Sequence, residues 1–292
     1  TIPLDAPKII GHEFVGEVAK INDEDSKKYN LSVGDRVISN IAVPCGKCKL
    51  CKSGDDANCV NMGVTNGGNP EDEPHFHGGF AEVSYAPAAN LIKIPENVDS
   101  LAACVFACPG PTAIHAFNLA KRAGCDIKDA ETAVVSGTGP VGCMAIAYLA
   151  NAGVKNIIVL ANRESKETDE RVTALGGTRI LHIASMEDDE IIVEILNISG
   201  GLGADLAFEA SGNPKAVPLA LKFLRNRGVY LVPGQYSNSG GALIEPQLIT
   251  FKALHIIGSS QYSMSDVREY LEFLSGNEML QNNIKSLAAL YK

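Results

Sequence analysis

The sequence has 292 residues, long enough for two domains, since single hydrophobic cores stop growing near about 250 residues. Hydrophobic residues make up 46% of it and supply material for sizeable cores, while a net charge of −9 argues against nucleic acid or an anionic membrane as the main partner. No apolar run approaches the roughly 18 to 20 residues of a membrane span, and Thr1 to Pro7 does not read as a signal peptide.

The first third is strand-like and rich in turns. Phe14 to Ala19 carries short β-type runs, and Val33 to Ile38 puts a Gly-Asp turn before a strand. Gly79 to Tyr85 alternates apolar and polar residues, which predicts a half-buried strand. Between these runs lies a cluster of cysteines. Cys45, Cys48, Cys51 and Cys59 have the spacing C-x2-C-x2-C-x7-C. Four thiolates so close together can wrap one ion tetrahedrally, and four protein sulfurs leave no open position. The cluster therefore predicts a structural zinc site. The other four cysteines, at 104, 108, 125 and 143, are scattered. This distribution favours metal binding in a reducing, cytoplasmic setting over a disulfide scaffold. Cys125 and Cys143 read as small hydrophobes. His75 and His77, in the acidic loop from Pro70 to His77, read as a solvated loop or a cleft rim.

The character changes near residue 110. Pro111 to Ala123 predicts a helix, stopped by Gly124. From residue 132 onward, β-type runs alternate with helical stretches. The runs are 133–136, 157–160, 179–183, 206–209, 229–232 and 254–257. Six such runs predict a doubly wound parallel sheet. His182 and His255 lie in these runs and read as structural. Pro246 to Lys252 is irregular or helical, and Ser265 to Leu274 predicts a helix capped by Ser265, with Val267, Tyr270, Leu271 and Leu274 as one stripe.

Gly137-Thr138-Gly139-Pro140-Val141-Gly142 follows the first of these runs and opens a helix from Cys143 to Asn151. In G-x-G-x-x-G the first glycine permits the tight turn. The second admits a pyrophosphate to the backbone, and the third lets helix and strand pack closely. The expected ligand is a dinucleotide. An NAD-preferring site usually carries Asp or Glu about 20 residues further on. Here Ala161 stands nineteen positions past Gly142, followed by Asn162 and Arg163. A small residue leaves room for a 2'-phosphate and a guanidinium pairs with it, so NADP is favoured over NAD. The alternative is that Arg163 only solvates a loop and that Glu164 or the backbone handles NAD. Ser211, just past the fourth run, is counted with the cofactor-binding residues.

The cysteine spacing followed by a G-x-G-x-x-G domain resembles the zinc-dependent medium-chain alcohol dehydrogenases. Gly11-His12-Glu13-Phe14-Val15-Gly16 resembles their G-H-E-x-x-G segment, Gly34-Asp35-Arg36-Val37 their G-D-R-V turn, and Gly78 to Glu82 a strand after their metal lobe. The resemblance implies an α/β fold: a doubly wound parallel-sheet (Rossmann) cofactor domain plus a mainly β, GroES-like catalytic domain. The expected division is 1–109 for the β-rich domain, 110–260 for the cofactor domain and 261–292 for a segment returning toward the first.

The resemblance also implies a second, catalytic zinc with an open position, in the cleft between those domains. His12 matches one of its ligands, and Glu13 a family residue near the metal. Cys108, seven residues before His115-Ala116, matches a further ligand, with Cys104 as the alternative. Thr112 falls where relatives place a residue near the nicotinamide. The family's remaining cysteine ligand lies further before the G-H-E histidine than this sequence extends, so the chain is expected to lack it and to be truncated at both ends. The implied reaction is hydride transfer between an alcohol, in the first instance a secondary one, and nicotinamide, with zinc polarising the alcohol oxygen; the reverse reaction reduces a ketone or aldehyde. The alternatives are a polyol, sugar or amino-acid-alcohol dehydrogenase of the same family, or a non-catalytic NADP-binding redox sensor with structural zinc alone. A nucleic-acid-binding zinc module is weaker: Asp55 and Asp56 follow Lys47, Lys49 and Lys52. From relatives, the chain is expected to form a homodimer or homotetramer through a sheet edge near Leu254 to Ser260.

Overall fold

The computed structural model of the protein describes residues 9–65, 68, 69, 71–73, 75 and 77–288. Thr1 to Pro7 and parts of the acidic loop ending at His77 lie outside the described residues. The chain forms two compact units, Thr1–Pro111 with Gln261–Lys292, and Thr112–Ser260. Among the described residues no helix is long and apolar enough to cross a membrane.

The first unit contains a small antiparallel sheet of β1 (Val15–Glu17), β2 (Arg36–Ser39) and β5 (Leu91–Lys93), with β2 in the middle. A second pair, β3 (Ala42–Val43) and β4 (Gly63–Val64), brackets the cysteine segment. Helix α1 (Asp23–Tyr29) has no buried residue, so it offers no apolar stripe to a reader of the sequence. Its ends form it instead. The Asn22 side chain accepts from the Asp25 amide, acidic residues fill the first turn and lysines the last, and Asn30 closes it in the left-handed region at φ 53°.

Arg36 joins sheet to loop. Its guanidinium donates to the carbonyls of Val98 (2.8 Å) and Pro95 (2.9 Å) and to Ser100 Oγ (2.9 Å). That fork fixes the segment leading into α3 (Ser100–Val105). Residues Gly79 to Tyr85 do not form the expected strand. Among the described residues, Gly79 and Phe80 alone in this run donate to a neighbouring segment, to the carbonyls of Gly11 and Ile10, and Phe80, Val83 and Tyr85 stay exposed. Alternation marks two faces, but a strand also needs a neighbour along its length, and among the described residues it has one for two residues only.

The C-terminal segment packs within this first unit. Helix α10 (Met264–Ser275) buries Val267, Tyr270, Leu271 and Leu274 as expected, but its cap is Ser263, not Ser265. Ser263 and Asp266 satisfy each other's amides in a capping box, which a serine two residues later could not do. The Tyr270 hydroxyl is shared between the carbonyls of Ala102 (3.1 Å) and Ala103 (3.2 Å). Helix α11 (Glu278–Lys285) adds Gln281, which donates to the carbonyls of Asn97 and Leu274 and accepts from the Asp99 amide.

Helix α4 (Pro109–Arg122) leads into the second unit. There a six-stranded parallel sheet has the order β11-β10-β9-β6-β7-β8. The strands are β6 (Thr132–Ser136), β7 (Asn156–Ala161), β8 (Arg179–His182), β9 (Ala204–Glu209), β10 (Leu224–Val232) and β11 (His255–Gly258). Helices α5 (Pro140–Asn151), α6 (Lys166–Ala174), α7 (Asp188–Ile198), α8 (Ala216–Phe223) and α9 (Pro246–Lys252) connect them. Every residue of β6 is buried, as a central strand covered on both faces requires. From β6 the chain builds outward to β7 and β8, then returns to the other side for β9, β10 and β11. The reversal makes a topological switch point between β6 and β9, where such sheets bind ligands beyond their carboxyl ends.

Two charged side chains brace the sheet. Lys252 Nζ donates to the carbonyls of Leu221, Lys222 and Leu224, closing the open end of α8. Asp205 accepts from the amides of Thr132 (2.8 Å) and Glu131 (2.9 Å) and from Arg225. Burial alone would raise the Asp205 carboxyl, but the Thr132 amide, Arg225 and the Glu131 amide outweigh it and hold the group below its ordinary range. A carboxyl lowered by folding stabilises above its unfolded pKa of about 4 and loses that contribution as pH falls through the folded value. Asp205→Asn is therefore expected to lower the unfolding free energy by about 1–3 kcal/mol at pH 7. The gap between variant and parent should shrink below about pH 4, read by denaturant melts across pH.

Candidate active site and metal centres

The first metal-type cluster is local. A bend at Gly46 (φ 68°), the short helix α2 (Lys49–Lys52) and a one-turn 3-10 segment fold the chain back so that Cys45, Cys48, Cys51 and Cys59 converge, with their sulfurs within 4.8 Å of one another. Cys48 Sγ lies 3.4 Å from Cys51 Sγ and 4.0 Å from Cys59 Sγ. Four sulfurs at about 2.3 Å from one zinc would sit about 3.8 Å apart, so the arrangement fits the ion. Amides aim at the sulfurs as well: Cys45 N–H at Cys59, Cys48 N–H at Cys45, Cys51 N–H at Cys48. Amides of Lys47 and Cys48 bring the Cys45 thiol down to about 6, whereas burial and the neighbouring sulfurs push Cys51 up to about 12.

The second cluster is assembled from distant sequence. His12, Glu13 and Cys108 place their donor atoms within 4.8 Å of one another. His12 Nε2 is 3.7 Å from Glu13 Oε1. Burial raises the Glu13 carboxyl, and His12 partly opposes the shift. The donor set of imidazole nitrogen, carboxylate oxygen and thiol sulfur suits zinc, and its half-exposed side chains leave a side open to solvent. Glu13, expected only near a metal, thus stands level with His12 and Cys108 as a third donor. Cys104 is the neighbour rather than a member: its sulfur contacts the Glu13 carbonyl at 3.8 Å, and burial raises its thiol.

Tyr262 was not singled out by its sequence. It is 2% exposed, and burial together with the adjacent Cys108 pushes its phenol well above the ordinary range. It lies in an aperiodic stretch between β11 and α10, so no pattern marks it. Thr112 is half-buried in the first turn of α4, and Cys108 immediately precedes that helix.

In the second unit the glycine loop leaves β6 at the switch point. Gly137 takes φ 103°, and a Cβ there would lie 2.8 Å from the Ala210 carbonyl. A Cβ on Gly142 would overlap the Gly137 carbonyl oxygen. Gly139 differs: nothing lies within 4 Å of the space its Cβ would fill. It caps α5, with Pro140 in the first turn, so the helix N-terminus opens onto that space. This cradle fits a pyrophosphate. The Thr138 carbonyl is held by Arg171 (3.4 Å) and by the Cys143 thiol (3.4 Å), and Val141 is half-buried in α5. Ala161 is buried at the end of β7, whereas Asn162 and Arg163 are exposed. Arg163 makes no ion pair among the described residues. Ser211 lies in the turn after β9, where its hydroxyl donates to Glu209 (2.6 Å) and accepts from the Asn213 amide (3.1 Å).

The chain is similar to known proteins in sequence and fold. Residues 2–96 match the family model described as alcohol dehydrogenase GroES-like domain, and residues 140–276 the one described as zinc-binding dehydrogenase. The L-threonine 3-dehydrogenase of Vibrio vulnificus is 32% identical over 261 residues, covering 88% of this chain and 68% of that protein. The erythritol/L-threitol dehydrogenase of Mycolicibacterium smegmatis is 31% identical, covering 79% of this chain and 59% of that protein. Among solved structures, an alcohol dehydrogenase of Thermotoga maritima superposes with a TM-score of 0.84 at 25% identity, over 95% of this chain and 76% of that one. The short chain alcohol dehydrogenase of Escherichia coli CFT073, complexed with NADH, superposes at 0.74 and 26% identity, over 91% and 72%. The chain belongs to the zinc-dependent medium-chain alcohol dehydrogenase family, oxidoreductases that act on CH–OH donors. Its fold is the family's, a doubly wound parallel sheet joined to a GroES-like domain.

The glycine contacts separate two variants. Gly142→Ala should lower the unfolding free energy by about 1–3 kcal/mol, because the methyl meets fixed backbone. Gly139→Ala should leave the melting temperature near the parent's while weakening cofactor binding, because its methyl fills the open cradle. Thermal melts and cofactor titration of both variants check this.

Proposed function

We propose that the protein is a zinc-dependent, nicotinamide-linked dehydrogenase that interconverts a secondary alcohol and its ketone. The observation that carries this reading is the convergence of His12, Glu13 and Cys108 beside a separate four-cysteine cluster. A binding protein with one structural metal has no use for the second donor set.

In this reading Cys45, Cys48, Cys51 and Cys59 hold a structural ion and order the segment between β3 and β4. His12 and Cys108, with Glu13, hold the catalytic one. Bound zinc supplies Lewis acidity at the alcohol oxygen, and the bound nicotinamide supplies the hydride acceptor. The chain's own part is to orient both. Gly137, Thr138, Gly139, Pro140, Val141 and Gly142 present backbone N–H groups and the α5 N-terminus to the pyrophosphate. Ser211 borders that loop. Thr112 lies toward the nicotinamide. Tyr262 walls one side of Cys108 and keeps water from it.

NADP is the proposed cofactor. The buried Ala161 puts no carboxylate at the end of β7, and the exposed, unpaired Arg163 is free to meet a 2'-phosphate. The substrate is a small molecule. Two curated relatives named for threonine and for a tetritol favour, as a second reading, an amino-acid alcohol or a polyol. The free thiols suit a cytoplasmic setting. A homodimer or homotetramer through β11 is supported by its place at the sheet edge and by exposed Ile256.

Metal analysis of the protein purified without chelators should give two zinc ions per chain, one for each cluster. His12→Ala and Cys108→Ser should each lose one, retain the other, and lose alcohol oxidation. A single zinc that survives both substitutions would defeat the reading. Arg163→Ala should weaken NADPH binding by about ten-fold or more while sparing NADH, as expected for loss of a charge-assisted phosphate contact. Equal effects on the two cofactors would remove the phosphate assignment.

A further inference from the structure

One buried acidic side chain in the second unit has no part in the scheme above. Glu209 ends β9 and is 0% exposed. Burying a carboxylate costs several kcal/mol unless its oxygens are met. Glu209 Oε1 is met three times, by the Ser211 amide (2.7 Å), the Ser211 hydroxyl (2.6 Å) and the Gly212 amide (3.0 Å). All three donors belong to the turn that follows the strand. Oε2 is buried without a hydrogen-bond partner. The chain also makes room for this group, since a Cβ on Gly234 would fall 2.5 Å from Oε2.

The place of that turn gives the arrangement its meaning. β6 and β9 pair so that Ser136 faces Glu209, and the Ala210 amide donates to the Ser136 carbonyl (2.8 Å). The glycine loop therefore leaves its strand against the turn that Glu209 organises. Gly137 lies so close that a Cβ on it would stand 2.8 Å from Ala210 and 2.9 Å from Ser211 Cα. On the other side, Gln235 donates to the Asn213 carbonyl (3.2 Å), tying the segment after β10 to the same turn. Three strand ends meet around one carboxylate. Ser211, whose hydroxyl is spent on Glu209 and on the Asn213 amide, offers a ligand backbone rather than side chain.

We propose that Glu209 is a positioning residue for the dinucleotide: by holding the amides of Ser211 and Gly212 it sets this turn against the glycine loop before the cofactor arrives. The proposal rests on the cofactor reading of the glycine loop given above. It extends that reading to a residue that touches no cofactor and acts through backbone geometry alone. Preorganisation of this kind removes the ordering cost from binding, so it is read in cofactor affinity.

The test combines NADPH and NADH titrations, followed by nicotinamide fluorescence, with amide hydrogen exchange of the cofactor-free protein. Glu209→Gln keeps an acceptor of the same shape but loses the charge, whereas Glu209→Ala loses both. Glu209→Ala should raise the dissociation constant about ten-fold, and Glu209→Gln about three-fold, as charge-assisted bonds become neutral or vanish. Exchange at Ser211 and Gly212 should quicken in the same order, with β6 amides unchanged. If Glu209→Ala does not fold, the three-fold change in Glu209→Gln and its exchange pattern decide the matter. A merely structural role would lower the melting temperature and leave the affinity of the folded fraction unchanged. That result, in a parent that binds cofactor, overturns the role of Glu209 and leaves the cofactor reading standing. A parent that binds neither NADPH nor NADH overturns the cofactor reading and this proposal with it.

Discussion

The register of two parallel strands is the constraint on which the cofactor unit depends. β6 and β9 are far apart in sequence, yet Ser136 stands opposite Glu209. Because both strands run the same way, both release their chains at the same edge. The glycine loop after β6 and the Ser211 turn after β9 then have to share one space. That sharing is tight enough that Gly137 and Gly142 have no room for a side chain, while Gly139 faces open space. The motif thus uses its glycines in two ways, two for packing protein on protein and one that leaves open space at the helix N-terminus.

The first unit solves a different problem. Among the described residues its sheets are small, three short strands in one and two in another, with helices at either end of the chain. Its order comes from polar groups with several partners. Arg36 clamps the Pro95–Ser100 segment, Tyr270 seats α10 on α3, and Gln281 seats α11 beside it. The four-cysteine cluster extends this device to the segment between β3 and β4, where four sulfurs converge within 4.8 Å of one another. The donors of the second cluster are then carried by two separate segments that this network holds in place, the one before β1 and the one before α4.

Much of this was legible from residue order. The glycine loop, its strand and its helix have a fixed local geometry, and each was found where the pattern placed it. The six β-type runs became six parallel strands because buried strands read as apolar runs whatever their neighbours. Where patterns misled, the cause was a missing partner or a missing stripe. Gly79 to Tyr85 alternates like a strand but, among the described residues, pairs at two positions only. Helix α1 has no apolar face and is held by its caps. The α10 cap fell to Ser263 because the capping box needs Asp266 three residues on.

Residue order by itself determined everything that depends on spacing within a few turns: the sulfur cluster, the dinucleotide loop, the absence of a carboxylate at Ala161, and the helix and strand periods. The tertiary structure alone decided what depends on distance between segments. It brought Glu13 level with His12 and Cys108, set Tyr262 against Cys108, left Cys104 aside, and spent the Ser211 hydroxyl on Glu209. The physical reason is the reach of the two kinds of constraint. Backbone geometry ties a residue to neighbours a few positions away, whereas sheet register and side-chain packing choose which remote residues meet.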